Sequence, residues 1–183
     1  MKKKILCILT AAAMLLCFAS CGASKDETPS DTEDMKTVSF ETTDLKGNVV
    51  RSEDIFGKYD LTLVNLWGTY CGPCIREMPD LALLDERLRE KNCAVVGVVI
   101  DVDSAKDRGM VRTAEGIMEE TGVEYLNLVF WSEIYVDFPA EYIPTSYMVD
   151  SAGRIVDGPF VGAMGADEYE KLIDDALKEI KKD

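Results

Sequence analysis

Histidine is absent from this 183-residue chain, and its absence excludes several kinds of chemistry. Without imidazole there is no Cys–His catalytic pair and no haem ligation through histidine. A structural zinc site needs four ligands drawn from Cys, His or carboxylate side chains. The chain also lacks a second C-x-x-C pair beside Cys71 and Cys74, so zinc is disfavoured. We predict that the protein holds no metal and needs no bound cofactor.

Positive charge is also scarce. The chain has 20 Lys and Arg residues against 34 Asp and Glu residues, which gives a formal net charge of -14. Nucleic-acid binding is disfavoured, because the sequence beyond its first four residues has no basic cluster to meet phosphate groups. The excess of acidic residues is typical of a solvated surface and does not by itself indicate a partner.

Two cysteines three residues apart carry the strongest functional signal. Cys71-Gly72-Pro73-Cys74 follows an apolar run and begins a stretch with helical spacing. Side chains at i and i+3 share a helix face, with Cβ atoms roughly 5–6 Å apart, so a disulfide can open and close with little backbone movement. The unpaired N–H groups and the dipole at a helix N-terminus stabilise a thiolate on Cys71. Pro73 fits there because a first-turn N–H has no intrahelical partner. The pattern predicts a redox-active dithiol.

Two other interpretations of the pair stay open from the residues alone. Cys71 and Cys74 could form half of a zinc site, although the missing ligands argue against it. They could also form a purely structural bridge, although closing so short a loop gains little chain entropy. A further cysteine, Cys93, precedes the apolar residues 94–100 and is predicted to be buried packing.

The N-terminus has the organisation of a secretory signal peptide over residues 1–20. Its lysine-rich start precedes an apolar run, residues 5–18, that is shorter than the roughly 20 residues needed to span a bilayer. Small residues precede Cys21, and the segment resembles a bacterial lipobox with Phe18 in place of the usual aliphatic residue. We predict that Cys21 is lipidated and anchors the protein by two or three acyl chains. The alternative is a retained transmembrane helix.

The segment after Cys21 is polar and acidic. Residues 23–34 contain no aromatic and no large aliphatic side chain, so they cannot bury enough apolar surface to offset their ordering entropy. Residues 21–36 are therefore predicted to be the lipidated cysteine with a flexible acidic tether. Residues 37–183 are predicted to form one domain.

Predicted strands and helices alternate along residues 37–183. Short β-type runs on either side of Lys46-Gly47 predict an N-terminal hairpin, and Ser52 is expected to cap a short helix that ends at Gly57. Pro79 should kink the helix that begins at the cysteines. The later predicted elements are helix 104–121, strand 125–130, a loop with a helical turn over 131–143, strands 145–149 and 154–156, and helix 166–181. This order predicts an α/β domain with parallel strands and helices on both faces of the sheet.

Three stretches of the chain resemble a known family. They are residues 57–79 around the cysteines, residues 95–98, and residues 143–155, which include Ile143-Pro144. The chain resembles the thioredoxin superfamily, and more closely its TlpA/ResA-type membrane-tethered thiol–disulfide oxidoreductases. The resemblance implies a thioredoxin-like fold, with a central mixed sheet flanked by helices and an added N-terminal β-hairpin.

The resemblance also implies roles for individual residues. Cys71 would attack a client disulfide, and Cys74 would resolve the mixed disulfide. Pro144 is implied to be cis and to face the dithiol, so that the backbone at Ile143 can pair with an extended client. Trp67 would cover one side of the sulfur atoms. The residues expected to contact substrate are Trp67, Tyr70, Gly72, Pro73, Ile143 and Pro144.

An acidic residue is expected to assist the second cysteine. Ordinary thioredoxins carry a buried aspartate where this chain has Asn65, and an amide cannot accept the proton of Cys74. The TlpA/ResA-type motif has an acid three residues after the second cysteine, which is Glu77 here, on the same helix face as Cys74. We predict that Glu77 tunes the thiol pKa and relays the proton. The alternative is a surface carboxylate near a helix N-terminus.

These observations predict a protein-disulfide reductase that acts on exported proteins at the extracytoplasmic side of a bacterial membrane. Gly72-Pro73 matches the reducing thioredoxins, and the resemblance alone implies a membrane electron donor of the CcdA/DsbD type. One alternative is a thiol peroxidase of peroxiredoxin or glutathione-peroxidase type. Another is a thioredoxin-like copper-binding protein, against which the two-residue cysteine spacing and the lack of histidine argue. A lipoprotein that only binds partners is the third.

Overall fold

A computed structural model of the chain describes residues 36–181. The predicted signal peptide, the lipidation site Cys21 and all of the tether except Lys36 lie outside the described residues. Within this part of the chain, every helix is too short or too polar to span a bilayer.

Seven strands, five α-helices and one 3-10 helix follow one another along the described residues. The strands are β1 (Glu41–Thr43), β2 (Val49–Arg51), β3 (Leu61–Trp67), β4 (Cys93–Val99), β5 (Asn127–Val129), β6 (Thr145–Asp150) and β7 (Ile155–Val161). The helices are α1 (Ser52–Phe56), α2 (Gly72–Leu88), α3 (Arg108–Thr121), α4 (Ile134–Asp137) and α5 (Ala166–Ile180), with the 3-10 helix at Arg89–Lys91.

The main sheet is mixed, as predicted. Its five strands lie in the order β5-β4-β3-β6-β7, with β3, β4 and β5 parallel to one another. Strand β6 runs antiparallel to β3 and to β7. The added N-terminal hairpin is present as the antiparallel pair β1–β2, which forms a separate two-stranded sheet. The predicted thioredoxin-like fold class is confirmed.

The sheet is covered on both faces because its central strands are apolar on both sides. Every residue of β3 and β4 is buried, which is the pattern of strands enclosed between two layers. On one face, Leu63 and Val95 pack in a core with residues of α2, α3 and α5. On the other face, Val64 and Val96 pack with residues of α1 and α4.

The predicted cap of helix α1 and the predicted start of helix α3 are wrong. Arg51, not Ser52, is the residue before helix α1, and the Ser52 hydroxyl instead accepts a hydrogen bond from the backbone N–H of Phe40. Helix α3 begins at Arg108 rather than near residue 104, because the Asp107 carboxylate caps it by accepting from the backbone N–H groups of Gly109 and Met110. Both elements exist as predicted, and only the starting residues differ.

The remaining predicted elements are found with shifted ends. Helix α2 continues through Pro79, and the expected kink there stays a prediction. The loop with a helical turn over residues 131–143 contains α4. Strand β7 extends to Val161, five residues beyond its predicted end at residue 156. The bond Gly158–Pro159 within it is cis.

Candidate active site

Cys71 and Cys74 form a disulfide at the start of helix α2, directly after the central strand β3. Cys71 is the N-cap residue, and its sulfur accepts a hydrogen bond of 3.2 Å from the backbone N–H of Cys74. Gly72 and Pro73 are exposed in the first turn between them. In the reduced protein the same N–H and the helix dipole would stabilise a Cys71 thiolate.

The loop that delivers Cys71 is held by Asp101, which follows strand β4. The Asp101 carboxylate accepts hydrogen bonds of 3.0 and 3.1 Å from the backbone N–H of Thr69, and it also accepts from the Thr69 hydroxyl. The N–H of Cys71 in turn donates to the carbonyl of Gly68 at 3.0 Å. These contacts fix the backbone between β3 and α2.

The two sulfurs differ in their access to solvent. Cys71 is 6% exposed and Cys74 is 1% exposed. Of the two, Cys71 is the more accessible to a group from another protein. This asymmetry is what a two-step exchange requires.

A cis proline lies beside the disulfide. The Ile143–Pro144 bond is cis, as the resemblance implied, and the Ile143 carbonyl oxygen lies 3.6 Å from Cys71 Sγ. Among the described residues, no backbone group hydrogen-bonds to Ile143. Tyr70 is 71% exposed. Its ring and the Ile143 side chain both border Gly68, where an added Cβ atom would lie within 3.2 Å of each of them.

Trp67 does not face a client, which corrects its predicted place among the substrate contacts. Its side chain is fully buried, in the same apolar core as Cys71 and Cys74. The indole N–H donates to Asn127 Oδ1 at 2.8 Å, because a buried polar hydrogen needs a partner. Trp67 therefore packs within the core that also contains the two cysteines.

Glu77 is buried, and the alternative of a surface carboxylate is wrong. It is 2% exposed and lies one turn beyond Cys74 on helix α2. Its Oε1 atom accepts from the Met164 backbone N–H at 2.8 Å and from the Tyr169 hydroxyl at 3.0 Å. Its Oε2 atom accepts from the Asn65 amide at 3.4 Å.

The environment of Glu77 tunes its protonation to neutral pH. Burial raises the pKa of Glu77 to about 7, and the three hydrogen bonds to the carboxylate oppose that rise. A carboxyl group poised near the working pH can both accept and return a proton.

Sequence reasoning missed five residues that contribute to this site. They lie far along the chain from the cysteines: Asp101 holds Thr69, Asn127 contacts Trp67, Ser146 contacts Asn65, and the Met164 backbone and Tyr169 contact Glu77. Only Tyr169 had a local signal, since its spacing from Ile173 and Leu177 places it on the buried face of α5. No pattern in the sequence predicts that Tyr169 contacts Glu77.

Cys93 stands apart from the dithiol. It is a buried free thiol at the start of β4, as predicted, and its sulfur donates toward the Lys91 carbonyl oxygen at 3.4 Å. Burial raises the pKa of Cys93 to about 11. Across residues 36–181, no three Cys, Asp or Glu side chains converge as ligands for a metal ion.

A thioredoxin-like sheet, a C-x-x-C disulfide at a helix start and a facing cis proline define the thioredoxin superfamily. The chain belongs to the AhpC/TSA family, whose sequence model matches residues 34–157. It is 30% identical over 142 residues to the thioredoxin-like protein YneN of Bacillus subtilis, covering 78% of this chain and 79% of that protein.

Two further matches agree with this placement. The chain is 26% identical over 119 residues to the thiol-disulfide oxidoreductase ResA of Bacillus thuringiensis, covering 64% of each protein. It therefore matches less than two thirds of the length of that relative. A thiol:disulfide interchange protein of Chlorobium tepidum has the same fold, with a TM-score of 0.64 at 23% identity over 78% of this chain and 97% of that one. The TlpA/ResA-type resemblance is confirmed.

Proposed function

We propose that this protein is a thiol–disulfide oxidoreductase that reduces disulfides in exported client proteins. The observation that carries the proposal is the Cys71–Cys74 disulfide at the start of α2, with Cys71 the more exposed sulfur. A bridge that served stability alone would not need one cysteine more accessible than the other, or a cis proline beside it. The names of the relatives support the same reaction.

In the first step the reduced protein attacks its client. The Cys71 thiolate attacks one sulfur of the client disulfide, so that a Cys71–client bond forms and the other client sulfur leaves as a thiolate. The Cys74 N–H, which points at Cys71 Sγ, stabilises the attacking charge. An extended client segment would pair with the free backbone of Ile143 beside Pro144 and contact Tyr70, Gly72 and Pro73.

In the second step Cys74 releases the client. Glu77 accepts the proton of the Cys74 thiol, and the resulting thiolate attacks Cys71 Sγ. The Cys71–Cys74 bond forms, the Cys71–client bond breaks, and the second client sulfur leaves as a thiolate that takes up a proton. The client is reduced by two electrons, and the dithiol is oxidised by two. A membrane electron donor of the CcdA/DsbD type would reduce the pair again.

The N-terminal sequence supports a proposed site of action at a membrane. Cleavage of residues 1–20 and lipidation of Cys21 would anchor the protein in a bacterial membrane, with residues 37–183 on its extracytoplasmic side. Residues 21–36 would then let the domain reach clients near the membrane. Mass spectrometry of the N-terminal peptide tests this part, and an unmodified Cys21 in membrane-associated protein would contradict it.

The reaction is tested by the reduction of insulin disulfides with dithiothreitol as the electron source. The wild-type protein should accelerate reduction, and Cys71→Ser should abolish the acceleration. Reduced Cys74→Ser, mixed with insulin after the dithiothreitol has been removed, should instead accumulate a Cys71–insulin mixed disulfide, because no resolving thiol is present. Equal activity in all three proteins would reject the proposal.

A peroxide assay separates the proposed reaction from thiol peroxidase chemistry. Both reactions use a reactive thiolate, but only a peroxidase should consume hydrogen peroxide faster than it reduces insulin. The two rates are measured on one preparation at matched dithiothreitol concentration. Faster turnover of peroxide would replace the proposed function with the peroxidase alternative.

A further inference from the structure

We propose that the hydroxyl groups of Tyr169 and Ser146 are positioning groups that keep Glu77 able to accept the proton of Cys74. The inference rests on the proposed function, because it extends the same site to two residues on other elements. Tyr169 belongs to α5 and Ser146 to β6, whereas Glu77 lies on α2 and Asn65 on β3.

The four side chains form a closed ring of hydrogen bonds. Glu77 Oε1 lies 3.0 Å from the Tyr169 hydroxyl, which lies 2.9 Å from Ser146 Oγ. Ser146 Oγ lies 2.9 Å from Asn65 Nδ2, and Asn65 Nδ2 lies 3.4 Å from Glu77 Oε2. None of the four side chains is more than 2% exposed, so water does not compete for these bonds.

Hydrogen counting fixes the direction of the ring when Glu77 is ionised. The carboxylate can only accept, so the one hydrogen of Tyr169 points to Glu77 Oε1. The hydrogen of Ser146 then points to the Tyr169 oxygen, and the two hydrogens of the Asn65 amide point to Ser146 and Glu77. Within the ring, the carboxylate therefore accepts hydrogens from Tyr169 and Asn65, and the remaining two hydrogens hold these donors in place. Ser146 acts through Tyr169. Because Ser146 donates its own hydrogen to the Tyr169 oxygen, Tyr169 cannot donate to Ser146, and its hydrogen continues to point to Glu77.

The titratable groups that face Glu77 make this support necessary. On α2, Asp80 adds negative charge and Cys74 is the proposed proton donor, while Tyr169 faces it from α5 and Tyr125 from the segment before β5. Burial first, and the charge of Glu77 second, raise the pKa of Tyr169, so its hydroxyl stays protonated as a donor. Without that donor, burial and Asp80 would hold Glu77 protonated, and it could not accept a further proton.

The step that depends on the ring is a single proton transfer. The Cys74 thiol gives its proton to the Glu77 carboxylate, which leaves a Cys74 thiolate and a neutral Glu77 carboxylic acid. The thiolate then attacks Cys71 in the mixed disulfide, the Cys71–client bond breaks, and the departing thiolate takes up the proton from Glu77. The carboxylate is thereby restored.

Tyr169→Phe tests the inference, with Tyr125→Phe as a matched control. Both tyrosines are buried in the same core, but the Tyr125 hydroxyl has no hydrogen-bond partner within the described residues. Infrared spectroscopy of the full-length oxidised protein follows the protonated carboxyl band across pH, and Glu77→Gln identifies the band by removing it. We expect a midpoint near 7 in the wild type, a rise of about one pH unit or more in Tyr169→Phe, and no change in Tyr125→Phe.

A kinetic measurement provides the second readout. A chromophoric thiol is attached to Cys71 as a mixed disulfide, and its release at pH 7 reports the attack of Cys74. A rise of one pH unit in the midpoint lowers the ionised fraction of Glu77, and hence the release rate, about fivefold. Ser146→Ala should shift the infrared midpoint in the same direction by less, and it carries the test if Tyr169→Phe does not fold.

Two outcomes would overturn the inference. One is an unchanged midpoint in both Tyr169→Phe and Ser146→Ala, and the other is an equal shift in Tyr125→Phe. Failure of the proposed function is distinguishable from both, because the wild-type protein would then neither release the attached thiol nor reduce insulin. The infrared midpoint would still report on the ring.

Discussion

Replacement of Glu77 by glutamine should change how the stability of the oxidised protein depends on pH. Glu77 is almost fully buried, and its pKa is raised from 4.5 to about 7. The folded protein therefore holds this proton more tightly than the unfolded chain does. The protonated form contributes its full stability below about pH 4.5, and that contribution is lost as the pH rises through about 7.

The size of the effect follows from the difference between the two pKa values. That difference is about 2.5 pH units, and each unit corresponds to about 1.4 kcal/mol, so the wild-type protein should lose about 3 kcal/mol from this group between pH 4.5 and pH 8. Glu77→Gln has no ionisable group at this position and should not show that loss. Other titrating groups contribute equally to both proteins, so the difference between the two curves isolates Glu77.

Urea unfolding followed by circular dichroism, at intervals from pH 5 to pH 8, measures the free energy of unfolding of each protein. We expect the free energy of unfolding of Glu77→Gln, relative to that of the wild type, to increase by about 2–3 kcal/mol as the pH rises. Exposed Glu86 on the same helix supplies the control, and Glu86→Gln should run parallel to the wild type. Parallel curves for Glu77→Gln would refute the reasoning, because the carboxylate would then be no harder to ionise in the folded protein.

Four other predictions concern residues outside the hydrogen-bonded ring. Gly97→Ala would place a methyl group 1.9 Å from Asn127 Oδ1, so we expect the free energy of unfolding to fall by about 2–3 kcal/mol in a urea titration. In Gly116→Ala on α3 the added methyl group meets nothing within 4 Å and should stabilise the protein by about 0.5–1 kcal/mol. An equal change in the free energy of unfolding of Gly97→Ala and Gly116→Ala would contradict the packing argument. Cys93→Ala should leave the insulin reduction rate unchanged, since burial raises the pKa of this thiol to about 11, and a tenfold loss would mean that Cys93 takes part. Tyr70→Ala should raise the KM for insulin while leaving the rate with a small disulfide unchanged, and equal loss with both substrates would exclude a client contact.

The dithiol could be predicted from sequence because its chemistry is local. The spacing of Cys71 and Cys74, the helix start between them and the tolerance of Pro73 for a first turn are all properties of a few consecutive residues. The central strands could be predicted for a similar reason, since a strand buried on both faces must be apolar throughout. Helix starts were less certain, because Asp107 and Ser104 both offer side-chain oxygens and only the folded backbone selects between them.

The amino-acid sequence thus determined the reactive pair, the mixed α/β architecture and the identity of the acid beside Cys74. Only the tertiary structure determined the burial, the hydrogen bonds and the pKa of that acid. Glu77 would be an ordinary carboxylate on an isolated helix, but Asn65, Met164 and Tyr169, which lie 12, 87 and 92 residues away in sequence, enclose it and donate hydrogen bonds to it. Burial raises its pKa and those donors limit the rise, and both effects exist only when the sheet and helix α5 have packed against α2.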